Sequence, residues 1–324
     1  MPESVLLRGL AFESGSPVVL VNSWDDLEKV GNKRFVWIDA QGEPGAEMET
    51  RLRENLDWHP IVFQSIRQAS LRSRLTPFED YTHLTFFIPV PGGEAEEAKT
   101  EEVDAVLGPG YLITFHRAPI PIVNALLSEV PGWKNPPKSL DLLLHRLIFS
   151  AIEALAPGID AIDGALHSLE DEAMNRPGPE LLERIVVSRD ALHLLHLSLV
   201  PQLQMLHDIT SGASRFITPY ARPFFRSTEN RVRGLIDDVA IYKEVVQNIL
   251  ELYRSAITQS TNDTIRLLTV VSTPFLALTF LTGLYGMNVS LPFSDRPHAF
   301  AILAGVSFVI LLGMLVWFRR RKWF

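Results

Sequence analysis

The chain has 324 residues, 47% of them hydrophobic, which is enough for about two domains and a further apolar part. Residues 1–263 hold 24 basic and 37 acidic residues, a net charge of 24 − 37 = −13, which argues against a nucleic-acid partner and is compatible with attracting cations. There is no cysteine, no phosphate-binding glycine loop, no zinc-protease helix and no Gly-x-Ser-x-Gly elbow, so we expect neither an enzyme nor an ATP-driven pump.

Residues 1–135 predict an α/β domain. Short runs rich in Val, Phe, Ile and Thr predict strands, and two mixed stretches between them predict helices. The predicted strands are Val18–Val21, Phe35–Asp39, Thr82–Val90, Glu102–Leu107 and Tyr111–Phe115, and the predicted helices are Glu47–Asn55 and Ile61–Leu71.

Residues 136–225 predict a helical segment, because apolar residues recur at helical spacing. We expect its helix over Leu181–Ile209 to be broken or bent near Pro201. Residues 226–263 predict a stalk helix, and the lack of proline from Phe224 to Thr273 predicts that this helix continues to Gly286.

Two uncharged runs of twenty residues near the C-terminus are each long enough to cross a bilayer. They predict membrane spans at 264–286 and 299–318, joined by a periplasmic loop at 287–298. Because the tail at 319–324 is basic, we expect it to be cytoplasmic, together with the N-terminal domain. The start of the chain shows no cleavable signal pattern, so we expect a multi-pass protein of the bacterial inner membrane.

The first span carries a polar stripe about 100° wide on a helical wheel. Counted from Asn262, it contains Ile265, Thr269, Ser272, Leu276, Thr279 and Gly283. Hydroxyl and amide groups on such a stripe suit a water-filled path for cations, and small polar residues also suit helix packing in membranes. Since two helices cannot enclose a path, the first alternative requires several copies of the chain around an axis.

Tyr285-Gly286-Met287-Asn288, at the end of the first span, resembles the signature of the CorA family of divalent-cation transporters. The resemblance is strong over residues 225–324 and weaker before them. Ile249–Tyr253, Thr261–Asp263, Leu267–Ser272, Leu278–Phe280 and Arg320–Phe324 also resemble the family at the expected distances.

The resemblance implies an α+β homopentamer with a funnel of N-terminal domains and a pore formed by the first spans. It implies that Gly286, Met287 and Asn288 form the outer mouth, where Asn288 and the Gly286 backbone bind the hydrated ion. Thr279 and Asn262 would form polar rings in the pore, Ile265 and Leu268 an apolar gate, and Glu251 an acidic ring in the stalk.

Two departures from the family's pattern concern the ion. The loop after Asn288 lacks the paired acidic residues of magnesium-transporting relatives and looks closer to the ZntB-type zinc branch, with Asp295 and His298 as candidate metal ligands. Ser227 stands where family members often carry a magnesium-sensing aspartate. We therefore expect transport of zinc, slightly ahead of magnesium, with cobalt, nickel or cadmium as further substrates and no resident cofactor.

Three other interpretations remain at this stage. A CorA-like magnesium channel is one, and a membrane-anchored cation sensor or tether that does not conduct is another. His193 and His196 stand three apart on a predicted helix, and the acidic residues from Asp160 to Glu172 form a cluster, but both patterns favour structural or surface roles. The expected partners are further copies of the chain, the lipid bilayer and divalent cations.

Overall fold

The computed structural model describes residues 5–13, 18–23, 35–68, 70, 72–90, 99–133, 137–287 and 298–323. Within these ranges the strands are β1 (Leu6–Phe12), β2 (Val19–Val21), β3 (Phe35–Gln41), β4 (Arg74–Pro77), β5 (Thr82–Val90), β6 (Lys99–Gly108) and β7 (Tyr111–His116). The helices are α1 (Ala46–Leu56), α2 (Pro60–Arg67), α3 (Pro121–Glu129), α4 (Leu140–Glu153), α5 (Ala156–Asn175), α6 (Pro179–Ser211), α7 (Arg222–Tyr285) and α8 (Ala299–Arg320).

The described strands form one sheet in the order β2-β1-β3-β7-β6-β5-β4. Only β3 and β7 pair in parallel, and every other neighbouring pair is antiparallel. The predicted α/β domain is therefore confirmed. The sequence reasoning missed β1, whose Arg8-Gly9 pair interrupts the apolar pattern. A Cβ at Gly9 would lie 2.6 Å from the carbonyl oxygen of Trp37, so β1 can approach β3 closely only with glycine there.

One face of the sheet is covered by α1 and α2 through a cluster of aromatic and aliphatic side chains. Trp58 stands in the middle of this cluster, 2% exposed, with its ring centroid 5.7 Å from Phe63 and 5.9 Å from Tyr81. Its indole nitrogen donates a hydrogen bond of 3.1 Å to the Tyr111 hydroxyl. The cluster therefore buries a large apolar area and satisfies its polar atoms.

The other face of the sheet carries a buried group of charges around Asp39, which is 0% exposed. Its carboxylate accepts from the Thr114 hydroxyl at 2.7 Å and lies 3.1 Å from both Arg8 and His116. The second ring nitrogen of His116 lies 2.6 Å from the Ala118 carbonyl. Burial lowers the pKa of His116, but the hydrogen bond and charge of Asp39 outweigh it, so the pKa is raised.

Helix α4 packs on this second face against β3, β5 and β7. Its first turn is fixed by Asp141, which is 2% exposed. The Asp141 carboxylate accepts from the backbone N–H of Leu142 at 2.9 Å, from the Ser139 hydroxyl, and from both the N–H and the hydroxyl of Thr218 at 2.8 and 2.7 Å. One buried carboxylate therefore joins the start of α4 to the segment before α7.

Helix α6 runs without a break from Pro179 to Ser211 and contains Pro201, so the predicted break is wrong. Proline inside a helix costs about 3 kcal/mol or more, because it removes one hydrogen bond and crowds the preceding turn. Leu199 and Met205 on either side are both 0% exposed. Burial of such side chains contributes roughly 1.5–3 kcal/mol each, which offsets the cost.

Helix α7 is continuous over 64 residues, Arg222–Tyr285, and spans roughly 95 Å at ~1.5 Å per residue. The predicted continuous helix from Arg226 to Gly286 is confirmed to within four residues. The chain divides into two compact units, one of Met1–Leu169 and Glu183–Gln247 and the other of Glu170–Leu182 and Asn248–Phe324, and α7 contributes to both.

Three described stretches are long and apolar enough to cross a membrane by length and composition: Leu140–Asn175, Arg222–Tyr285 and Phe300–Arg320. In the first, 44% of the most apolar window is buried within the protein, against 6% and 0% in the other two. The apolar residues of the first stretch are therefore explained by packing within the protein. The two C-terminal helices expose their apolar surface and fit insertion into a membrane.

Replacing Asp141 with alanine should lower the free energy of unfolding by about 2–4 kcal/mol, because a buried acceptor would be lost to the N–H of Leu142 and to the N–H and hydroxyl of Thr218. Urea denaturation of the purified full chain, followed by circular dichroism, measures this. The control is Asp190→Ala, which removes an exposed carboxylate paired only with its neighbour Arg189 and should change stability by less than about 0.5 kcal/mol. Equal effects of the two substitutions would contradict the role given to Asp141.

Candidate ion pathway on helix α7

The polar stripe predicted for the first span lies on an unbroken part of α7. Since the helix is regular there, Asn262 and Thr279 lie at the two edges of the stripe, about 100° apart around the axis and about 25 Å apart along it. Both side chains are exposed, as is Glu251, roughly 16 Å before Asn262. The structure thus brings these predicted residues to one face of one helix.

Hydroxyl groups of this span donate hydrogen bonds to the backbone of the preceding turn. Thr269 donates to the carbonyl of Ile265 at 2.7 Å, and Ser272 donates to the carbonyl of Leu268 at 2.6 Å. Thr282, about 60° outside the stripe, donates in the same way to the Leu278 carbonyl at 3.0 Å. A hydroxyl bound in this way keeps its oxygen lone pairs free to accept hydrogen bonds from water. Such a stripe can therefore solvate the water shell of a cation.

Of the two predicted gate residues, Ile265 belongs to this stripe and Leu268 lies beside its edge. Ile265 is 55% exposed and Leu268 is 65% exposed. Large apolar side chains at this level would close a narrow path by excluding water when copies of the helix come together.

The signature at the end of the span begins where α7 ends. The N–H of Gly286 donates to the Thr282 carbonyl at 2.9 Å, and that of Met287 donates to the Leu284 carbonyl at 3.3 Å. A Cβ on Gly286 would lie 3.1 Å from the Thr282 oxygen, so glycine allows the chain to leave the helix this tightly. Asn288 and Asp295 lie outside the described residues.

His298, the remaining candidate ligand, is exposed and immediately precedes α8. Its carbonyl accepts from the N–H of Ile302 at 3.1 Å, while its ring makes no capping hydrogen bond to this helix. Among the described residues there is no group of three histidine, aspartate or glutamate side chains that could hold a metal ion. His193 and His196, and the described acidic residues of α5, therefore gain no further ligands from the fold.

The sequence reasoning missed a cavity of about 210 Å³ in the first unit, at the end of the sheet near α2. It is lined by Gly42, Glu43, Ile66, Ser70, Phe87, Thr100, Glu101, Glu102, Asp104, Phe115, His116 and Arg117. The alternation of charged residues along β6, which places Glu102 and Asp104 on the same face, was the signal that could have revealed it.

Two carboxylates in this cavity are held differently. Asp104 is buried and lies 2.7 Å from the Nε2 atom of His83, with the Thr85 hydroxyl donating at 2.8 Å. Glu102 accepts from the N–H of Ser70 at 2.7 and 3.0 Å. Burial, and then the charge of Asp104, raise the pKa of Glu102 to about 7. Glu102 therefore changes charge near neutral pH.

An α/β domain followed by a long helix that runs into the first of two C-terminal helices that fit a membrane is typical of the class of membrane proteins with a large extramembrane domain. Residues 32–320 match the family described as CorA-like Mg2+ transporter protein. The chain belongs to this family, which consists of ion transporters and not enzymes.

Individual relatives in the family differ in the ion that they are named for. The cobalt/magnesium transport protein CorA of Thermotoga maritima is 24% identical over 290 residues, which cover 89% of this chain and 83% of that protein. The zinc transport protein ZntB of Pectobacterium carotovorum is 23% identical over 270 residues, 81% of each chain.

The fold is also that of a solved structure. The complete CorA magnesium transporter from Methanocaldococcus jannaschii matches with a TM-score of 0.81 at 21% identity, over 99% of both chains. At this identity the likeness shows the shared fold alone, and it extends through both C-terminal helices.

Replacing Glu102 with glutamine should remove a pH-dependent loss of stability. The pKa is about 7 in the folded state and near 4.5 for an unperturbed carboxyl, so the folded state binds the proton more tightly and stability falls as pH rises from 4.5 to 7. Glutamine cannot lose a proton, and its carbonyl can still accept from Ser70.

Melting temperatures of the variant and the parent protein at pH 5 and pH 8 measure this effect. We expect Glu102→Gln to raise the melting temperature more at pH 8 than at pH 5. The control, Glu47→Gln, alters a carboxylate whose side chain is 82% exposed and should give the same small difference at both pH values. A Glu102→Gln difference that does not depend on pH would contradict the assignment.

Proposed function

We propose that the chain is one subunit of a homopentameric transporter that moves divalent cations across the bacterial inner membrane, with both termini in the cytoplasm. The exposed polar stripe on α7, which includes Asn262 and Thr279, is the observation that carries the proposal. Polar side chains are unfavourable where a helix faces lipid, whereas they are well solvated where a helix lines a water-filled path.

Each part of the path has a proposed role. Gly286, Met287 and Asn288 form the outer mouth, where hydrated ions bind first. Thr279 and Asn262 offer oxygen atoms to the water shell of the ion. Ile265 and Leu268 form the gate, and Glu251 forms an acidic ring beyond it. Asp295 and His298 are metal ligands near the mouth.

Zinc stands slightly ahead of magnesium as the proposed ion, with cobalt, nickel and cadmium as further substrates. The loop from Val289 to His298 is neutral apart from Asp295 and Arg296, and His298 offers a nitrogen ligand that suits zinc. Ser227 is exposed on α7 and cannot act as the carboxylate sensor for magnesium. The relatives include a protein named for magnesium and cobalt and one named for zinc.

The driving force is the gradient of the ion, the membrane potential or coupled protons. For two charges moving inward, 100 mV supplies about 4.6 kcal/mol, since each charge gains ~2.3 kcal/mol.

Ion flux into liposomes that hold the purified chain tests the proposal. We expect zinc and magnesium to enter faster than into empty liposomes, with zinc the faster of the two. Asn288→Ala should reduce flux by about ten- to hundredfold, because a hydrogen bond involving a charged group contributes ~1.5–3 kcal/mol. Flux equal to that of empty liposomes, together with no effect of Asn288→Ala, would refute transport and favour a sensor or tether.

A matched pair of substitutions tests which side of α7 lines the path. Thr279→Val removes a hydroxyl on the stripe and should reduce flux by about two- to tenfold, the value of one hydrogen bond of ~0.5–1.5 kcal/mol. Thr282→Val makes the same change to a hydroxyl that donates to the helix backbone about 60° outside the stripe, and it should reduce flux less than Thr279→Val does. The opposite order of effects would place the path on a different face of the helix.

A further inference from the structure

A groove lies between α7 and α8 in the second unit, with a volume of about 320 Å³. We call it the tail groove. Its lining consists of Asp263, Arg266, Leu267, Val270, Leu315 and Trp323. The floor is apolar, and both charged residues come from the same turn of α7.

One wall of the tail groove is formed by the way α8 ends. Lys322 adopts a left-handed conformation with φ of 56°, and its N–H donates to the Arg319 carbonyl at 3.1 Å. The next N–H, that of Trp323, donates to the Phe318 carbonyl at 3.2 Å. These two bonds form a Schellman motif, which turns the chain back on the helix. The Trp323 ring consequently packs 5.5 Å from the ring of Phe318, which is only 2% exposed.

The rim of the tail groove is strongly positive. Five basic residues, Arg266 and those at 319–322, and one acidic residue, Asp263, lie in or beside the groove, a net charge of 5 − 1 = +4. Arg319, Arg320, Arg321 and Lys322 are all exposed, and within the described residues none of them forms an ion pair with a carboxylate. Arg321 lies 5.6 Å from the Trp317 ring, which leaves its N–H groups able to donate.

Arg266 also keeps most of its donors. Its side chain is 50% exposed, and its one contact among the described residues is 3.5 Å from Nη1 to Asp263. Exposed pairs of this kind contribute at most about 1 kcal/mol, so the pair does not hold the guanidinium away from another anion. Arg266 therefore remains a suitable ligand for a phosphate group, which it can bind through two parallel N–H donors.

The position of the groove along the two helices indicates what occupies it. Arg266 is the last charged residue before the uncharged run of the first span, and Arg319 is the first charged residue after the second. The groove therefore lies where apolar surface meets the charged membrane surface. Trp317 and Trp323 at the same level are typical of that boundary.

We propose that the tail groove binds an anionic phospholipid. The phosphate accepts hydrogen bonds from Arg266 and the basic residues after Phe318, and one acyl chain lies along Leu267, Val270 and Leu315. Basic pockets between membrane helices favour such headgroups because anionic lipid is attracted by each nearby arginine or lysine. The proposal depends on membrane insertion alone and not on which ion, if any, the protein conducts.

A lipid fits the groove better than a second copy of the chain does. A second copy that placed its own tail in the groove would bring the four basic residues at 319–322 to a rim that is already positive. Like charges brought together cost free energy, whereas a phospholipid brings a negative headgroup and an apolar chain to match the rim and the floor.

The test is a titration of the purified full chain in neutral detergent with phosphatidylglycerol or phosphatidylcholine of the same acyl chains, brominated on the chain. Lipids bound per subunit are counted by native mass spectrometry, and quenching of tryptophan fluorescence reports contact with the chain. We expect phosphatidylglycerol to bind more tightly and to cause additional quenching that disappears in Trp323→Phe.

Two matched variants locate the headgroup. Arg266→Gln should weaken phosphatidylglycerol binding by about fivefold, the effect of removing one nearby positive charge. Arg254→Gln removes an exposed charge from the same helix about 18 Å away and should have no effect. Circular dichroism melting of both variants checks folding, and Trp323→Phe gives a second, independent readout.

Several results would overturn the proposal. They are equal binding of the two lipids, equal effects of Arg266→Gln and Arg254→Gln, and displacement of the lipid by inorganic phosphate alone, which would indicate an ion site. A fourth is the absence of bound phosphatidylglycerol combined with loss of oligomers in Arg266→Gln, which would make the groove a contact between copies of the chain. Ion flux takes no part in the readout, so failure here and failure of the transport proposal are distinguishable.

Discussion

The uninterrupted backbone hydrogen bonding of α7 is the constraint on which the rest of the structure depends. In a bilayer each N–H and carbonyl must find its partner inside the protein, and a helix achieves this within one segment. Because α7 runs as one helix from Arg222 to Tyr285, its regular periodicity fixes which side chains of the first span form the polar stripe.

Long elements with clear periodicity could be predicted from the sequence, because their signal repeats many times. The span of α7, the two apolar C-terminal helices and strands β5, β6 and β7 follow from patterns of this kind. β1 could not be predicted because the charged Arg8 interrupts its apolar pattern. Arg8 is accommodated on the inner side of the strand only through its ion pair with Asp39 on β3. Pairing between residues 31 apart leaves no local pattern to detect.

The candidate pathway could be predicted more completely than the two other functional features of the chain. Its residues share one helix, so spacing alone places Asn262 and Thr279 within one stripe about 100° wide. The cavity around Glu102 depends on the return of the chain through β6, β7 and the end of α2, and the tail groove depends on the turn at Lys322. Both require tertiary contacts between distant residues, which one sequence does not encode in any short window.

Pro274, within α7, has a mechanical consequence for the first span. Proline has no N–H, so the bond that residue 274 would give to the carbonyl of Val270 is missing, and its ring crowds the preceding turn. Bending the helix therefore costs least free energy at this level. The segment with Thr279 and Gly283 lies on one side of this soft point and the segment with Ile265 and Leu268 on the other. Any bend of the span is therefore expected at Pro274, between the gate residues and the outer half of the stripe.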